Sequence, residues 1–144
     1  MTTKTNPIDR YEVLDGDTVR CWVDLGYFVS FRIDVRLLGI NAPEIEPHGG
    51  AARAHEWPAG AAVKAWVERY LATRGPLACL SVKLDKFAGR TDGDVLSPAR
   101  INQSLSRQLI AVGLAKPWNG EGEKPTWTAE EIAAIAMKAT LPVS

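Results

Sequence analysis

The stretch from Phe28 to Leu38 constrains this chain most. Phe31, Ile33, Val35 and Leu37 alternate with Arg32, Asp34 and Arg36. Alternation is the period of a strand, so the apolar set faces a core and the two arginines share the opposite face. A strand buried on one side needs partners. Two β-rich runs precede it, Arg10 to Leu14 and Thr18 to Asp24, broken at Asp15-Gly16-Asp17, a turn signal. Leu25-Gly26-Tyr27 then serves as the hairpin into the third strand. Leu80, Val82 and Leu84 alternate as a fourth strand, and Thr91 to Leu96 is a weaker fifth.

Between these strands the period changes. Gly39 to Gly60 reads as a long loop rich in Gly, Pro and Ala. From Ala61 to Ala72, Val63, Trp66, Val67, Tyr70 and Leu71 form a helical stripe. Arg74-Gly75-Pro76 stops it. Ile101, Leu105, Leu109 and Val112 mark a second helix ending near Gly113. Thr128 with Glu131 is a capping box that opens a third helix, through about Ala139. This order is α+β. Five short strands around one core suit a five-stranded OB-type β-barrel with about three packed α-helices.

Composition bounds the rest. A chain of 144 residues buries about two-thirds of its unfolded surface, enough for one core, so a single domain over residues 1–144 is expected. Apolar residues at 46% and charged residues at 24% exclude a disordered or collagen-like chain. No apolar run approaches the roughly 18 residues of a membrane span. The first ten residues hold no apolar stretch and include Asp9, so no signal peptide and a cytoplasmic location are expected. Seventeen Lys+Arg balance seventeen Asp+Glu. That balance argues against a protein that coats nucleic acid non-specifically, but not against an enzyme that gathers a few arginines in one cleft. Cys21 and Cys79 lie far apart without CxxC spacing, which points to buried free thiols rather than a bridge or zinc.

Three motifs carry candidate chemistry: Asp15-Gly16-Asp17-Thr18-Val19, the run from Arg36 to Glu44 (Arg-Leu-Leu-Gly-Ile-Asn-Ala-Pro-Glu), and Asp85-Lys86-Phe87-Ala88-Gly89-Arg90. Singly they read as a hairpin turn, a strand end and a polar turn. In this order, followed by Ile101-Asn102, Leu105 and Gly113-Leu114-Ala115, they resemble the staphylococcal nuclease (thermonuclease) family. The resemblance runs from about Tyr11 to Trp118. It implies an OB-barrel nuclease that uses calcium (Ca2+) and cleaves DNA and RNA, leaving 3′-phosphate ends.

Carried over position by position, the resemblance makes Asp17 a carboxylate ligand of calcium and the carbonyl of Ala42 a backbone ligand. Asn41 stands where the family usually has a second aspartate ligand. Glu44 matches the glutamate that orients or deprotonates the attacking water, and Arg36 and Arg90 match the pair that grips the scissile phosphate. The residue types suit this chemistry. Calcium takes carboxylate, amide and carbonyl oxygens, and guanidinium forks match two phosphate oxygens as charge builds on them. The chain departs from the family in three ways: neutral Asn41, Phe87 in place of the usual tyrosine, and a shortened basic run. The expected substrate is nucleic acid, single-stranded DNA or RNA, acted on by a monomer. The alternative is a non-catalytic OB module that binds nucleic acid or a protein.

The remaining candidates read as structural. His48 and His55, beside Glu46 and Glu56, are expected to be solvated loop residues rather than a second metal site. Trp66 lies on the helix stripe and belongs to the core. Trp118 and Trp127 are expected to pin the C-terminal helix. Trp22 fits either a core position or an exposed platform for base stacking.

Overall fold

The computed structural model describes residues 3–84 and 89–143. Five strands, β1 (Lys4–Asp15), β2 (Thr18–Gly26), β3 (Val29–Leu37), β4 (Ala78–Leu84) and β5 (Arg90–Leu96), close into a barrel in the order β1-β2-β3-β5-β4. All neighbours are antiparallel except β3 and β5, which run parallel with Asp34 opposite Arg90 and Arg36 opposite Asp92. With three helices of about two turns or more, α1 (Trp57–Ala72), α2 (Leu105–Ala111) and α3 (Ala129–Lys138), this is an α+β fold of OB type.

Strand alternation fills the interior. Val13, Val19, Cys21, Val23, Val35, Leu37 and Val95 are buried. The even-numbered residues of β2 and β3 point outward. Helix α1 lays Val63, Trp66, Val67, Tyr70 and Leu71 against this core, with the rings of Trp66 and Tyr70 stacked 5.1 Å apart. Cys21 and Cys79 are both free and buried, and burial pushes their thiols up from the usual range.

The fold departs from expectation in four places. Strand β1 begins at Lys4 rather than Arg10, because Lys4 to Pro7 pair with β4 and close the barrel. The segment expected as a loop holds a two-residue bridge, Ile40–Asn41 with Lys116–Pro117, and a short helix, Gly50–Arg53. Helix α1 starts at Trp57 rather than Ala61; Pro58 sits in its first turn, where its missing N–H has no partner to lose. The second helix is shorter than expected. Pro98–Gln103 is a 3₁₀ segment, Ile101 is 63% exposed and Val112 is 38% exposed, so Leu105 and Leu109 alone carry its apolar face. The capping box of α3 forms as expected, with Thr128 and Glu131 exchanging side-chain and backbone hydrogen bonds.

Two glycines bring the future site together. A Cβ on Gly16 would lie 2.7 Å from a methyl of Val63 and 2.8 Å from Cβ of Ala42. A Cβ on Gly60 would lie 2.1 Å from the carbonyl oxygen of Glu44. The β1–β2 turn and the segment after β3 can therefore both press against α1. No helix among the described residues is long and apolar enough to cross a membrane.

The β2–β3 hairpin turns through Tyr27 and Phe28, both with positive φ, 53° and 64°. Type I′ turns of this kind favour Asn-Gly, and an L residue with a bulky side chain is strained there. Replacing Tyr27→Asn together with Phe28→Gly should therefore raise stability by about 1–2 kcal/mol, read as a higher urea midpoint at constant slope.

Candidate functional site

Arg36 is the second-last residue of β3, and its guanidinium is fixed from three sides. It donates to the carbonyls of Leu37 at 2.8 Å and Ile40 at 3.1 Å, and stands 3.4 Å from Oδ2 of Asp17. The same carboxylate oxygen accepts the N–H of Ala42 at 3.0 Å. Asp17, Arg36 and the Asn41-Ala42 pair are thus gathered from the β1–β2 turn and the end of β3. Arg90, at the start of β5, lines the same cleft as Arg36.

That cleft has a volume of about 540 Å³. Its charged lining consists of Arg36, Lys83, Arg90 and Lys124 against Asp92 and Glu121. Cations outnumber carboxylates there, within a chain that is neutral overall. Trp118 lines it as well, 6.0 Å from the Arg36 guanidinium, and its indole N–H donates to the carbonyl of Glu121. Trp118 therefore faces the cleft instead of pinning the C-terminal helix. Trp127 is buried, as expected of a pinning residue. Of the third motif, Asp85, Lys86, Phe87 and Ala88 lie outside the described residues.

Glu44 is held apart from the Asp17 cluster. Its Oε1 pairs with Nζ of Lys124 at 2.7 Å, and its N–H donates to Glu56 at 2.9 Å. Glu56 is fully buried. It also pairs with Arg53 at 2.8 Å, and Arg53 donates to the carbonyls of Lys124 and Pro125. This buried pair ties the segment carrying Glu44 to the one carrying Lys124. His55 contacts the carbonyl of Trp127 at 3.0 Å, and the carbonyl of His48 accepts the indole N–H of Trp57.

Asp15, Lys124, Glu56 and Arg53 escaped the sequence reading. Asp15 had a signal, since it shares a turn motif with Asp17. Arg53 and Glu56 are three residues apart, but the contacts that join them to residues 44, 124 and 125 are of long range and no local pattern announces them.

The donor set fits a hard cation. Asn41 is completely buried, yet neither its Oδ1 nor its Nδ2 has a hydrogen-bond partner. A buried amide left so costs about 1–3 kcal/mol, and a cation would satisfy the oxygen. Next to it, two carboxylates crowd one turn. Burial first, then the charge of Asp17 and a shared hydrogen bond with it, push the Asp15 carboxyl up to about 7. No cluster of three or more His, Cys, Asp or Glu occurs among the described residues, so a cation here would also need amide and carbonyl oxygens.

The fold and cleft together define an OB-type barrel with a cationic groove at the end of β3. No protein-family model matches the chain, and no curated protein matches it.

The Asp15 shift has a thermodynamic consequence. Its carboxyl rises from 3.8 to about 7 on folding, so the group's favourable contribution is complete below pH 4 and is lost as pH rises through 7. Asn cannot ionise. In chelator, Asp15→Asn should stabilise the protein by about 1–3 kcal/mol at pH 8 and leave it nearly unchanged at pH 4. Urea denaturation of both forms at the two pH values checks this.

Proposed function

We propose that the protein is a calcium-dependent nuclease of the staphylococcal nuclease type. It hydrolyses phosphodiester bonds of single-stranded DNA or RNA and leaves 3′-phosphate ends. The observation that carries this reading is the placement of Arg36, 3.4 Å from Asp17 and lining one cleft with Arg90. An anion grip and a carboxylate turn meet at one point, and the motif order of the sequence supplies the reaction.

In this reading Asp17, Asn41 and the carbonyl of Ala42 would hold calcium, which when bound would stabilise negative charge on the phosphoryl oxygens. Arg36 is held by two backbone carbonyls and needs no reorientation to meet that charge. Arg90 approaches from the neighbouring strand. Glu44 accepts a proton from the attacking water, whose oxygen bonds to phosphorus. The bond from phosphorus to the 5′ oxygen then breaks, and that oxygen takes up a proton as it leaves. Lys124 pairs with Glu44 and supplies a further cation to the cleft.

The second reading, a non-catalytic OB module, draws on two observations. Glu44 is engaged by Lys124, and Asn41 brings no charge to the metal ligands. Digestion of single-stranded DNA with calcium, magnesium or chelator separates the two readings. The nuclease reading expects calcium-dependent cleavage, reduced by roughly 10² to 10⁴ in Glu44→Gln with the fold intact. Binding without cleavage under all three conditions selects the module.

Asn41 gives a second check. A full charge in place of a dipole about 4 Å from the ion is worth at most about 4 kcal/mol at an effective dielectric of 20. Repulsion from Asp17 and desolvation take back part of it. Asn41→Asp should tighten calcium binding by roughly ten- to several-hundred-fold by calorimetry, from a wild-type value in the millimolar range. Equal affinity in the two forms removes Asn41 from the metal site.

A further inference from the structure

One cation of the cleft has the proposed base as its partner. Arg36 stands 3.4 Å from Asp17, and Lys83 stands 3.9 Å from Asp92. Lys124 is closer to its carboxylate than either, with Nζ 2.7 Å from Oε1 of Glu44. The two partners differ in freedom. Glu44 is pinned along its backbone: its N–H donates to Glu56, and its carbonyl oxygen lies so close to α1 that a Cβ on Gly60 would come within 2.1 Å of it. Its side chain is 14% exposed, whereas that of Lys124 is 42% exposed. Lys124 carries its charge on a flexible four-carbon stem, so it is the partner that can leave.

The segment that carries Lys124 is held without this contact. The carbonyls of Lys124, Pro125 and Thr126 are bonded in succession, the first two by Arg53 and the third by Nζ of Lys116. Just before them, the indole N–H of Trp118 holds the carbonyl of Glu121. Arg53 is fixed in turn by buried Glu56, which also holds the Glu44 N–H. The contacts close a ring, from Glu44 to Glu56, to Arg53, to Lys124 and back to Glu44. Three of its joints use either the buried Glu56 carboxylate or a backbone carbonyl. The fourth is the Lys124–Glu44 pair, open to water on the lysine side.

That difference gives the fourth joint a use. An ion pair so exposed favours its closed form over its open one by about fivefold or less. The same side chain lines the cleft with Arg36 and Arg90, where a phosphate would offer its ammonium charge-assisted bonds of the kind it makes to Glu44. A contact this weak exchanges for another at little cost.

We infer that Lys124 is a positioning residue that acts through Glu44, a latch that covers the base and is exchanged onto a phosphate next to the scissile one. The exchange moves a hydrogen bond and breaks no covalent bond. Glu44 loses the ammonium from Oε1 and is opened to the attacking water when that second phosphate binds. The substrate class that follows is a strand of several phosphodiesters; a compound whose single phosphate is the scissile one meets a latched base. The inference rests on the proposed function for the role of Glu44.

The test uses the full chain and two readouts. In chelator, NMR of isotope-labelled lysine ammoniums reads the Lys124–Glu44 hydrogen bond as a protected signal, assigned by its absence from Lys124→Met. Oligo-dT of about twelve nucleotides should abolish the protection, and the dinucleotide TpT, with its single phosphate, should leave it. With calcium, the preference of Lys124→Met for oligo-dT over TpT in kcat/KM should fall by about three- to fivefold, through a rise for TpT, because no fraction of the base is latched. Lys124→Arg, which keeps a cation over Glu44, should keep the wild-type preference. An equal loss on both substrates, or an unchanged preference in Lys124→Met, overturns the latch. So does a Lys124 ammonium that is unprotected from the start or stays protected with oligo-dT. If no form cleaves either substrate, the nuclease reading falls, and the exchange of Lys124 stands or falls on the chelator experiment. Cleavage with the hydrogen bond untouched by oligo-dT keeps the nuclease reading and removes the latch.

Discussion

The contact between the Asp17 carboxylate and the Ala42 N–H, 3.0 Å long, holds together two segments 25 residues apart. Everything at the cleft depends on it. It fixes the β1–β2 turn against the chain leaving β3, so the ionisable turn and the arginine-bearing strand end share one corner. The approach is open only because position 16 is glycine, since any side chain there would strike Val63 and Ala42. Arg36 then closes the corner by bonding the carbonyls of Leu37 and Ile40, and thereby sets the path of the backbone that carries Asn41.

A second clamp works from below. Glu56 is fully buried and shared between the Glu44 N–H and the Arg53 guanidinium. Such a pair is weak evidence of net stability, because withdrawing the Glu56 charge from water offsets the attraction. Its value lies in position. Arg53 also donates to the carbonyls of Lys124 and Pro125, so one buried carboxylate fixes the separation of Glu44 and Lys124, which meet at 2.7 Å. The arrangement gives Glu44 a partner of opposite charge.

What was legible in the sequence was whatever repeats locally. The alternation from Phe31 to Leu37 located β3 and put Arg36 on its outer face, and the Thr128–Glu131 box located α3. The period failed where an apolar residue served something other than the core. Phe31 and Ile101 fit their stripes but are exposed, one near the hairpin tip and the other in a 3₁₀ turn. Pro58 and Gly60 read as loop, yet the first suits a helix's opening turn and the second lets the helix meet Glu44. The site was legible as motifs but not as contacts. The Arg53–Glu56 spacing of three is local, but the burial of Glu56 is not legible, because its other partner is the Glu44 N–H and Arg53 is anchored by residues 124 and 125.

Net charge understates what this surface can do. Seventeen basic and seventeen acidic residues cancel over the chain, yet four cationic side chains face two carboxylates in the cleft. A globally neutral protein has little long-range attraction for a polyanion, and what it has is screened beyond about 8 Å at physiological salt. An anion meeting such a surface would be held by short-range contacts, and a guanidinium fixed by two backbone carbonyls, as that of Arg36 is, is already arranged to make them.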